Sequence, residues 1–466
     1  MDGDGQIGMG SGVDEVFDFT GELFDKYFRL LGLKSANAAN AANIVNYIRG
    51  EDIPGFRNRR IDVDGDGVEE PVLLGDIVHS SPLAVGRPNA AYDLIFGDST
   101  YRKFRQQYQN RRQMVYVGAN DGMLHAFNGG FYDASTSSYV LGRDKEIQHP
   151  LGSELWAYVP YNLLPHLQWL TKPDYPHVYY VDGAVKSFDV NIFPDDKTHP
   201  GGWGTILVVG LRFGGGDYTL DPEFDADGDP SNDITLRSAY VVLDVTDPEQ
   251  PPTVLAEISH PLMGYTLAEP TLIKARVADK ETGSYLTPHV NNWYLVFGSG
   301  PVGSTDKARE DALNQAVSDS TAKLFVYDLR SNTLDIEDLN EANSFVGGLQ
   351  SVDWNRDYVD DAIYFGLVSG AVEGASGKLM RGKVKHNLEK EKDQEEMSLS
   401  FGQLLDVNKQ PFSATPLTVR DRLGDYWIYA GTGRFYVVED NFTTDQQSYY
   451  GVKDPQSGGE LKSVTV

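Results

Sequence analysis

The chain has 466 residues, of which 40% are hydrophobic and 11% aromatic, so it can bury the core of one large domain or of two to three ordinary ones. Its 68 acidic and 40 basic residues give a net charge of −28, which argues against nucleic acid as a partner and favours divalent cations or a basic protein surface. It has no cysteine, which excludes disulfides, thiol catalysis and zinc-thiolate sites.

Residues 1–60 form a predicted helical segment that opens with a partial acidic loop, Asp2-Gly-Asp4-Gly-Gln6. Two apolar stripes at helical spacing follow this loop, and Gly32 and Gly50 are placed to end them. The stripes are Leu23, Phe24, Tyr27, Phe28 and Leu31, and then Ala38, Ala39, Ala42, Val45 and Ile48. We find no signal peptide and no apolar run near the ~18 residues of a membrane span. Because the chain begins inside a half-formed loop, we expect a fragment or a processed form.

A metal loop is predicted directly after the helical segment. Calcium takes six to eight oxygen ligands, and a tight loop that turns alternate residues inward supplies them. The ligands at loop positions 1, 3, 5, 7 and 9 would be Asp62, Asp64, Asp66, the Val68 carbonyl and Glu70. Gly67 stands at position 6, where such a loop turns sharply.

Residues 61–466 are predicted to form one mainly β domain. Short runs of β-branched and aromatic residues alternate with clusters of Gly, Asp, Asn and Pro. Such runs are 114–117, 205–209, 239–243, 293–297, 323–327, 362–365 and 426–429. Repetition of short strands every ~40 to 60 residues is typical of a β-propeller. We predict seven blades, with long insertions at 90–112, 304–320 and 385–399; a pair of β-sandwiches is the alternative.

The calcium-loop spacing occurs twice more within this domain. One loop consists of Asp225, Asp227, Asp229, Ser231 and Asp233. The other, which matches best, consists of Asp353, Asn355, Asp357, the Val359 carbonyl and Asp361. None of the three loops has the glutamate that completes an EF-hand at position 12, so position 9 would have to close the coordination. Because Asp and Asn also favour ordinary turns, turns without a metal are the alternative.

Five segments of the chain are similar to a known family. They are 74–82, 115–127, 353–366, 431–435 and 450–454, and they follow one another in family order between residues 70 and 455. Together they resemble the C-terminal propeller domain of PilY-type type IV pilus proteins.

The resemblance implies a modified, quinoprotein-like propeller with one calcium loop whose binding state regulates pilus extension and retraction. It also implies an adhesive role and a location at the pilus tip or cell surface. The family's calcium loop falls on Asp353, Asn355, Asp357, Val359 and Asp361. Two departures from the family are the missing large N-terminal region, often with an adhesive module, and the end of the chain shortly after Asp454.

Enzymatic alternatives carry less support. A quinoprotein-like dehydrogenase would hold a calcium-bound quinone in a propeller channel, but its metal ligands converge from several blades, whereas these are contiguous in loops. Gly298-Ser-Gly-Pro-Val-Gly303 follows a strand as a dinucleotide fingerprint would, but Pro301 interrupts the turn. For His79 and His125 we expect a structural role, in which they hold turns by hydrogen bonds.

The sequence therefore predicts a non-enzymatic, calcium-binding β-propeller of the type IV pilus machinery. We expect an exported protein that acts at the pilus tip or cell surface in pilus biogenesis, in the control of extension and retraction, and in adhesion. Expected partners are pilus proteins, such as minor pilins or an adhesive N-terminal region, with a host or surface ligand as a further candidate. Calcium either regulates these activities or stabilises the fold, and the sequence is compatible with both.

Overall fold

The computed structural model describes residues 7–8, 18–33, 38–142, 149–221, 233–276, 291–386 and 397–456. The chain divides into two compact units. The first comprises residues 1–87, 108–187 and 206–260, and the second comprises residues 88–107, 188–205 and 261–466. The predicted domain boundary at residue 60 lies within the first unit and stays a prediction.

The predicted N-terminal helices are present. Helix α1 begins after Thr20, whose Oγ1 accepts a hydrogen bond from the backbone N–H of Leu23 at 3.4 Å. The 3₁₀ turn that follows ends at Gly32, whose φ of +73° lies in the region that favours glycine. The α-helices are α1 (Gly21–Lys26), α2 (Ala38–Ile48), α3 (Tyr92–Ile95), α4 (Ser99–Gln107), α5 (Leu167–Leu170) and α6 (Asp306–Gln315). The 3₁₀ helices are Phe28–Leu31, Tyr161–His166, Pro200–Gly202 and Val438–Phe442. Within the described ranges, no helix combines the length and the apolar character that a bilayer crossing requires.

The strands are short, as the alternating composition predicts. The first fourteen in chain order are β1 (Ile7–Gly8), β2 (Arg60–Ile61), β3 (Glu70–Pro71), β4 (Leu83–Val85), β5 (Gln113–Gly118), β6 (Leu124–Asp133), β7 (Ser138–Val140), β8 (Glu154–Tyr158), β9 (Val185–Asn191), β10 (Trp203–Gly210), β11 (Tyr218–Leu220), β12 (Ile234–Leu236), β13 (Tyr240–Asp244) and β14 (Thr253–Ile258). The others are β15 (Thr271–Arg276), β16 (Asn291–Gly298), β17 (Lys323–Asp328), β18 (Leu334–Asp338), β19 (Ser344–Val352), β20 (Ala362–Ser369), β21 (Gly377–His386), β22 (Met397–Val407), β23 (Leu417–Arg420), β24 (Tyr426–Gly431) and β25 (Tyr449–Asp454).

Most strands pair with their chain neighbours in antiparallel sheets. The second unit contains the sheets β15-β16-β17-β18, β19-β20-β21-β22 and β23-β24-β25. The sheet β4-β5-β6-β7, in which β8 also pairs with β6, lies in the first unit. The sheet β1-β14-β13-β10-β9 and the pairs β2-β3 and β11-β12 complete the set. Up-and-down sheets of four strands are the repeating element of β-propellers. The described residues contain five sheets of three or more strands, and the count of seven blades stays a prediction.

Each unit has its own apolar core. All eight residues of β10 and the first five residues of β17 are buried. Strands that are covered on both faces read as continuous apolar runs, which explains why these segments show no polar alternation. The core of the first unit includes Leu207 and Leu243, and that of the second includes Val296 and Phe365.

Two of the predicted insertions have defined structure. Residues 90–112 contain α3 and α4, and α4 buries Tyr101 and Phe104. Residues 304–320 contain α6, which begins after Thr305, an N-cap whose side chain accepts from the backbone N–H of Ala308 at 3.2 Å. Of the third insertion, 385–399, residues 387–396 lie outside the described residues.

Candidate metal loops

The Asp353 loop, residues 353–361, connects β19 to β20 in the second unit. Val352 and Ala362 face each other as the last pair of the ladder, and the backbone N–H of Asp361 donates to the carbonyl of Val352 at 2.8 Å. The antiparallel ladder therefore fixes both ends of the loop, and the nine residues between them must turn within a short span.

Side-chain oxygens of the predicted ligands organise the backbone of this loop. The Asp353 carboxylate accepts from the backbone N–H of Arg356 at 2.5 Å through Oδ1 and from that of Tyr358 at 3.0 Å through Oδ2. Asn355 Oδ1 accepts from the N–H of Asp357 at 2.8 Å, and Asp357 Oδ1 accepts from that of Val359 at 3.2 Å. The side chains of positions 1, 3 and 5 thus bind the loop's own backbone, and metal ligation by them stays a prediction.

The carboxylates of the Asp353 loop are partly withdrawn from water and repel one another. Burial raises the pKa of Asp353, and the charge of Asp357 adds to the increase. Burial likewise raises the pKa of Asp361, with further contributions from Asp357 and Asp353. Backbone N–H donors, including that of Trp354 to Asp361 Oδ2 at 2.7 Å, offset part of this effect. A bound cation would relieve the repulsion.

An arginine side chain binds one of the predicted metal ligands of the loop. Arg276, at the end of β15, forms an ion pair with the Oδ2 of Asp357. Next to it, Lys274 Nζ contacts Asp360 Oδ2 at 3.0 Å, and this carboxylate holds the pKa of Lys274 above its ordinary value although burial opposes the charged form. Two cations of β15 therefore face the acidic loop, and one of them binds a predicted metal ligand.

The sixth residue of the loop has an unusual backbone conformation. Tyr358 has φ of +84° and Arg356 has φ of +61°, values that are uncommon for residues with bulky side chains. The hydroxyl of Tyr358 donates to Oδ2 of the buried Asp98 at 2.9 Å. Asp98 Oδ1 in turn accepts from the backbone N–H groups of Thr100 and Tyr101 at the start of α4, at 2.8 and 3.0 Å. The side-chain anchor compensates for the strained backbone at position 6.

The Asp62 loop, residues 62–70, connects β2 to β3 in the first unit. Ile61 pairs with Glu70 at its base, and its three aspartates are exposed. Asp62, Asp64 and Asp66 each place a carboxylate oxygen within 4.8 Å of the others, and among the described residues this is the only group of three or more His, Asp or Glu side chains that does so. The carboxylates of the Asp353 loop do not converge in this way.

The two loops share four side-chain-to-backbone hydrogen bonds and a positive φ at positions 4 and 6. In the Asp62 loop the N–H of Gly65 donates to Asp62 Oδ1 at 2.6 Å and that of Gly67 to Asp62 Oδ2 at 3.0 Å, which are the position 4 and position 6 bonds of the Asp353 loop. The N–H groups of positions 5 and 7 donate to the side chains of positions 3 and 5 in both loops, at 3.1 and 2.8 Å here. Gly65 and Gly67 have φ of +82° and +86°, close to the values of Arg356 and Tyr358.

The remaining sequence predictions have mixed outcomes. Residues 222–232, and with them Asp225, Asp227, Asp229 and Ser231, lie outside the described residues, as does the N-terminal loop of residues 2–6. Asp233 is exposed and precedes β12, which pairs with β11. His79 Nδ1 lies 2.7 Å from Asp182 Oδ2, and His125 lies between Asp121 and Glu154, so both histidines have the hydrogen-bonding role that was predicted.

Sequence reasoning missed three residues that shape the Asp353 loop, namely Asp98, Arg276 and Tyr358. Tyr358 could have been found from the sequence. A tyrosine at a position where calcium loops prefer glycine requires a contact that compensates for backbone strain. Asp98 precedes Ser-Thr-Tyr at a helix start, which marks it as an N-cap but does not reveal its partner.

The antiparallel sheets and the loop at the β19–β20 connection define a protein of the β-propeller class with loop-borne acidic sites. Residues 74–466 match the family described as the PilY1 beta-propeller domain, and the chain belongs to this family.

Curated relatives are type IV pilus biogenesis factors. The chain is 29% identical over 427 residues to a Type IV pilus biogenesis factor PilY1 homolog of Xylella fastidiosa, a match that covers 90% of the chain and 28% of that protein. It is 27% identical over 423 residues to the Type IV pilus biogenesis factor PilY1 of Pseudomonas aeruginosa (strain PAO1), with 84% of the chain and 30% of that protein covered. The chain thus spans less than a third of the length of these relatives.

A solved structure shares the fold. The crystal structure of the Pseudomonas aeruginosa PilY1 C-terminal domain superposes with a TM-score of 0.52 and 23% sequence identity, over 82% of this chain and 67% of that one.

Proposed function

We propose that this domain is a non-enzymatic, calcium-binding module of the type IV pilus machinery. It would act outside the cytoplasm, at the pilus tip or cell surface, in pilus biogenesis, in the control of extension and retraction, and in adhesion. The names of the relatives support the pilus part of the proposal. The calcium part rests on one observation: two loops with different residues at positions 4 and 6 adopt the same conformation around alternating oxygen ligands.

The different residues make this likeness informative. Glycine reaches a positive φ at no steric cost, so the Asp62 loop adopts the conformation freely. The Asp353 loop reaches it with arginine and tyrosine, at a cost on the order of 1–3 kcal/mol per strained residue. Strained backbones persist where the surrounding structure holds them, and they cluster at ligand sites, which supports the proposal.

In the Asp353 loop, calcium would compete with Arg276. The guanidinium of Arg276 pairs with Asp357, while Asp353 and Asp361 repel each other. A divalent cation that binds Asp353, Asn355, Asp357, the Val359 carbonyl and Asp361 would offset two of the three carboxylate charges and release Arg276. The site would therefore have two states, one with the internal cation and one with calcium.

Through the release of Arg276, calcium binding would change a contact with another protein. A ligand shifts a conformational equilibrium only through its different affinity for the two states. Here the two states differ in the partner of Arg276 and in the order of the loop that Tyr358 attaches to Asp98 and α4. A pilus protein that contacts this part of the second unit would sense the change.

The Asp62 loop is a second calcium site in this proposal. Its aspartates converge and are exposed, so it would bind the ion without displacing an internal cation. The Asp225 loop remains a third candidate on sequence grounds alone.

Calcium titration calorimetry of the chelated protein tests the proposal. We expect Asp353→Ala and Asp62→Ala each to remove one binding event, and the exposed Asp335→Ala, which removes the same charge from β18, to leave both in place. Loss of no event in either loop variant would refute the site assignments. Absorbance from a quinone bound to the purified protein would contradict the non-enzymatic part and favour the dehydrogenase alternative.

A further inference from the structure

A cavity of about 320 Å³ lies in the first unit, away from the aspartates of the Asp62 loop. Helix α2 contributes Tyr47, and the residues just before and after the β2–β3 hairpin contribute Arg57, Arg59 and Leu73. Tyr175 completes this part of the lining. The cavity combines aromatic, apolar and cationic groups, and nothing described above gives it a role.

Two guanidinium groups stack on tyrosines at this cavity. Arg59 lies over the ring of Tyr47, with its Cζ 3.7 Å from the ring centroid, and Arg57 lies over the ring of Tyr175 at 4.5 Å. Arg59 donates to the backbone carbonyl of Glu51 at 3.0 Å. Neither arginine forms a salt bridge with a carboxylate among the described residues.

Buried donors at the cavity also lack acceptors. The hydroxyl of Tyr47 and the Nε of Arg59 are both buried without a hydrogen-bond partner in the described part of the chain, and Tyr47 is only 2% exposed. Buried polar groups in folded proteins are nearly always paired, because an unpaired one costs roughly 1–3 kcal/mol. The Nε–H of Arg59 can only donate and the hydroxyl of Tyr47 can also donate, so a ligand with acceptor oxygens would satisfy both.

The acidic residues at the cavity do not fill this need. Asp76 accepts from His177 Nε2 at 2.8 Å and from Asn120 at 3.2 Å. Asp121 contacts His125 Nε2 at 3.1 Å and accepts from the backbone N–H of Gly75 at 2.7 Å. Both carboxylates are therefore committed to histidines and amides, and the arginines remain available for an external anion.

An exposed apolar segment runs along the cavity. Val72, Leu73 and Leu74 are each 42–43% exposed, and Ile61 across the hairpin is 54% exposed. The backbone N–H groups of Leu73 and Leu74 have no acceptor among the described residues. Leu73 and Leu74 follow β3, outside its ladder, so their free backbone donors and exposed apolar side chains are open to pairing with an extended chain.

We infer that this cavity binds an extended peptide segment of another protein that presents a carboxylate side chain between apolar residues. The carboxylate would accept from Arg57, Arg59 and the hydroxyl of Tyr47, because planar guanidinium groups bind carboxylates through two parallel hydrogen bonds. The flanking apolar residues would cover Leu73 and Leu74, and the peptide backbone would accept from their N–H groups. This inference does not depend on calcium binding by either loop.

The test uses the full 466-residue chain and two immobilised libraries of ten-residue peptides. Both libraries have Val, Leu, Ile or Thr at alternate positions, and the central residue is Glu in one and Gln in the other. We expect recovery from the Glu library alone, and at least tenfold weaker binding of the recovered peptides to Arg57→Gln and Arg59→Gln. The exposed Arg87→Gln, which removes the same charge outside the cavity, should bind as the wild type does.

Each contrary result overturns the inference. Equal recovery from the two libraries, or no recovery from either, would exclude a carboxylate-bearing peptide. Unchanged binding by Arg57→Gln, with an unchanged melting temperature, would exclude the cavity as the site. Full displacement of the peptide by acetate at the same concentration would show a site for small carboxylates rather than for an extended chain. Arg57→Gln serves as the main variant because loss of the closer Arg59–Tyr47 stacking could unfold the segment.

Discussion

The hydroxyl of Tyr358 donates to the carboxylate of Asp98 at 2.9 Å, and this bond connects two segments that lie 260 residues apart in the chain. Tyr358 occupies the sixth position of the Asp353 loop with a φ of +84°, and Asp98 caps the start of α4. The pair is buried, so the bond is poorly replaced by water. It holds a strained backbone conformation at a position where calcium loops usually have glycine.

Tyr358→Phe should destabilise the second unit and loosen the loop. The substitution removes a hydrogen bond to a buried carboxylate, which costs roughly 1–3 kcal/mol. We expect a lower midpoint in urea unfolding and weaker calcium binding at the Asp353 loop. Tyr449→Phe removes the hydroxyl of a tyrosine that is 69% exposed and should change neither. Equal midpoints for Tyr358→Phe and the wild type would show that the hydrogen bond does not hold the loop.

Arg276→Gln should strengthen calcium binding at the Asp353 loop. The ion pair with Asp357 must break before that carboxylate can bind calcium, and the guanidinium also repels the approaching ion. Because Arg276 and Asp357 are partly exposed, solvent screens the pair, and we expect a gain of several-fold rather than of orders of magnitude. Calorimetric titration against the Arg87→Gln control measures it. Weaker calcium binding by Arg276→Gln would mean that the arginine supports the site.

Gly67→Ala should weaken calcium binding at the Asp62 loop alone. Gly67 has φ of +86°, where an alanine costs roughly 1–2 kcal/mol, and no atom lies within 4 Å of the added Cβ, so backbone strain is the only penalty. This corresponds to a loss of about tenfold in affinity. Gly402→Ala is the matched control, because its φ is not in the left-handed region and its added Cβ also meets nothing within 4 Å. An unchanged affinity would show that calcium does not select this loop conformation.

The stability of the first unit should fall as the solution becomes alkaline. His125 is buried between Asp121 and Glu154; burial disfavours its protonation, but the two carboxylates prevail and raise its pKa to about 9. Histidine in an unfolded chain has a pKa of ~6.5. Protonated His125 therefore makes its full contribution to the free energy of unfolding below that pH, and this contribution disappears as the pH rises through about 9. We expect a loss on the order of 2–3 kcal/mol between these limits, measured by urea unfolding.

His125→Gln should flatten this alkaline limb of the stability profile. The control is His166→Gln, since burial lowers the pKa of His166 to about 4. His166 affects stability at acidic pH instead. The free energy of unfolding falls as the pH drops from ~6.5 through about 4, because His166 binds a proton in the unfolded chain but not in the folded one. A wild-type profile without an alkaline decline would contradict the assignment to His125.

Local sequence patterns predicted the elements that depend on local physics. The stripe that ends at Gly32, the N-terminal helix pair and the buried runs of β10 and β17 follow from periodicity and turn chemistry. The loops at Asp62 and Asp353 were found from ligand spacing, and both turn their alternate side-chain oxygens inward.

The arrangement of the carboxylates in each loop, and the groups that they contact, could not be predicted from local sequence patterns. The Asp353 loop matches the calcium pattern best, yet the carboxylates that converge within 4.8 Å are those of Asp62, Asp64 and Asp66. In the Asp353 loop, Asp357 instead forms an ion pair with Arg276, which lies 81 residues away in the chain. Spacing along the chain determines which oxygens can face one point, because a tight turn has few conformations. Which cations and hydrogen-bond partners meet those side chains depends on strands and helices far away in sequence, and only the tertiary structure brings Asp98 and Arg276 to the Asp353 loop.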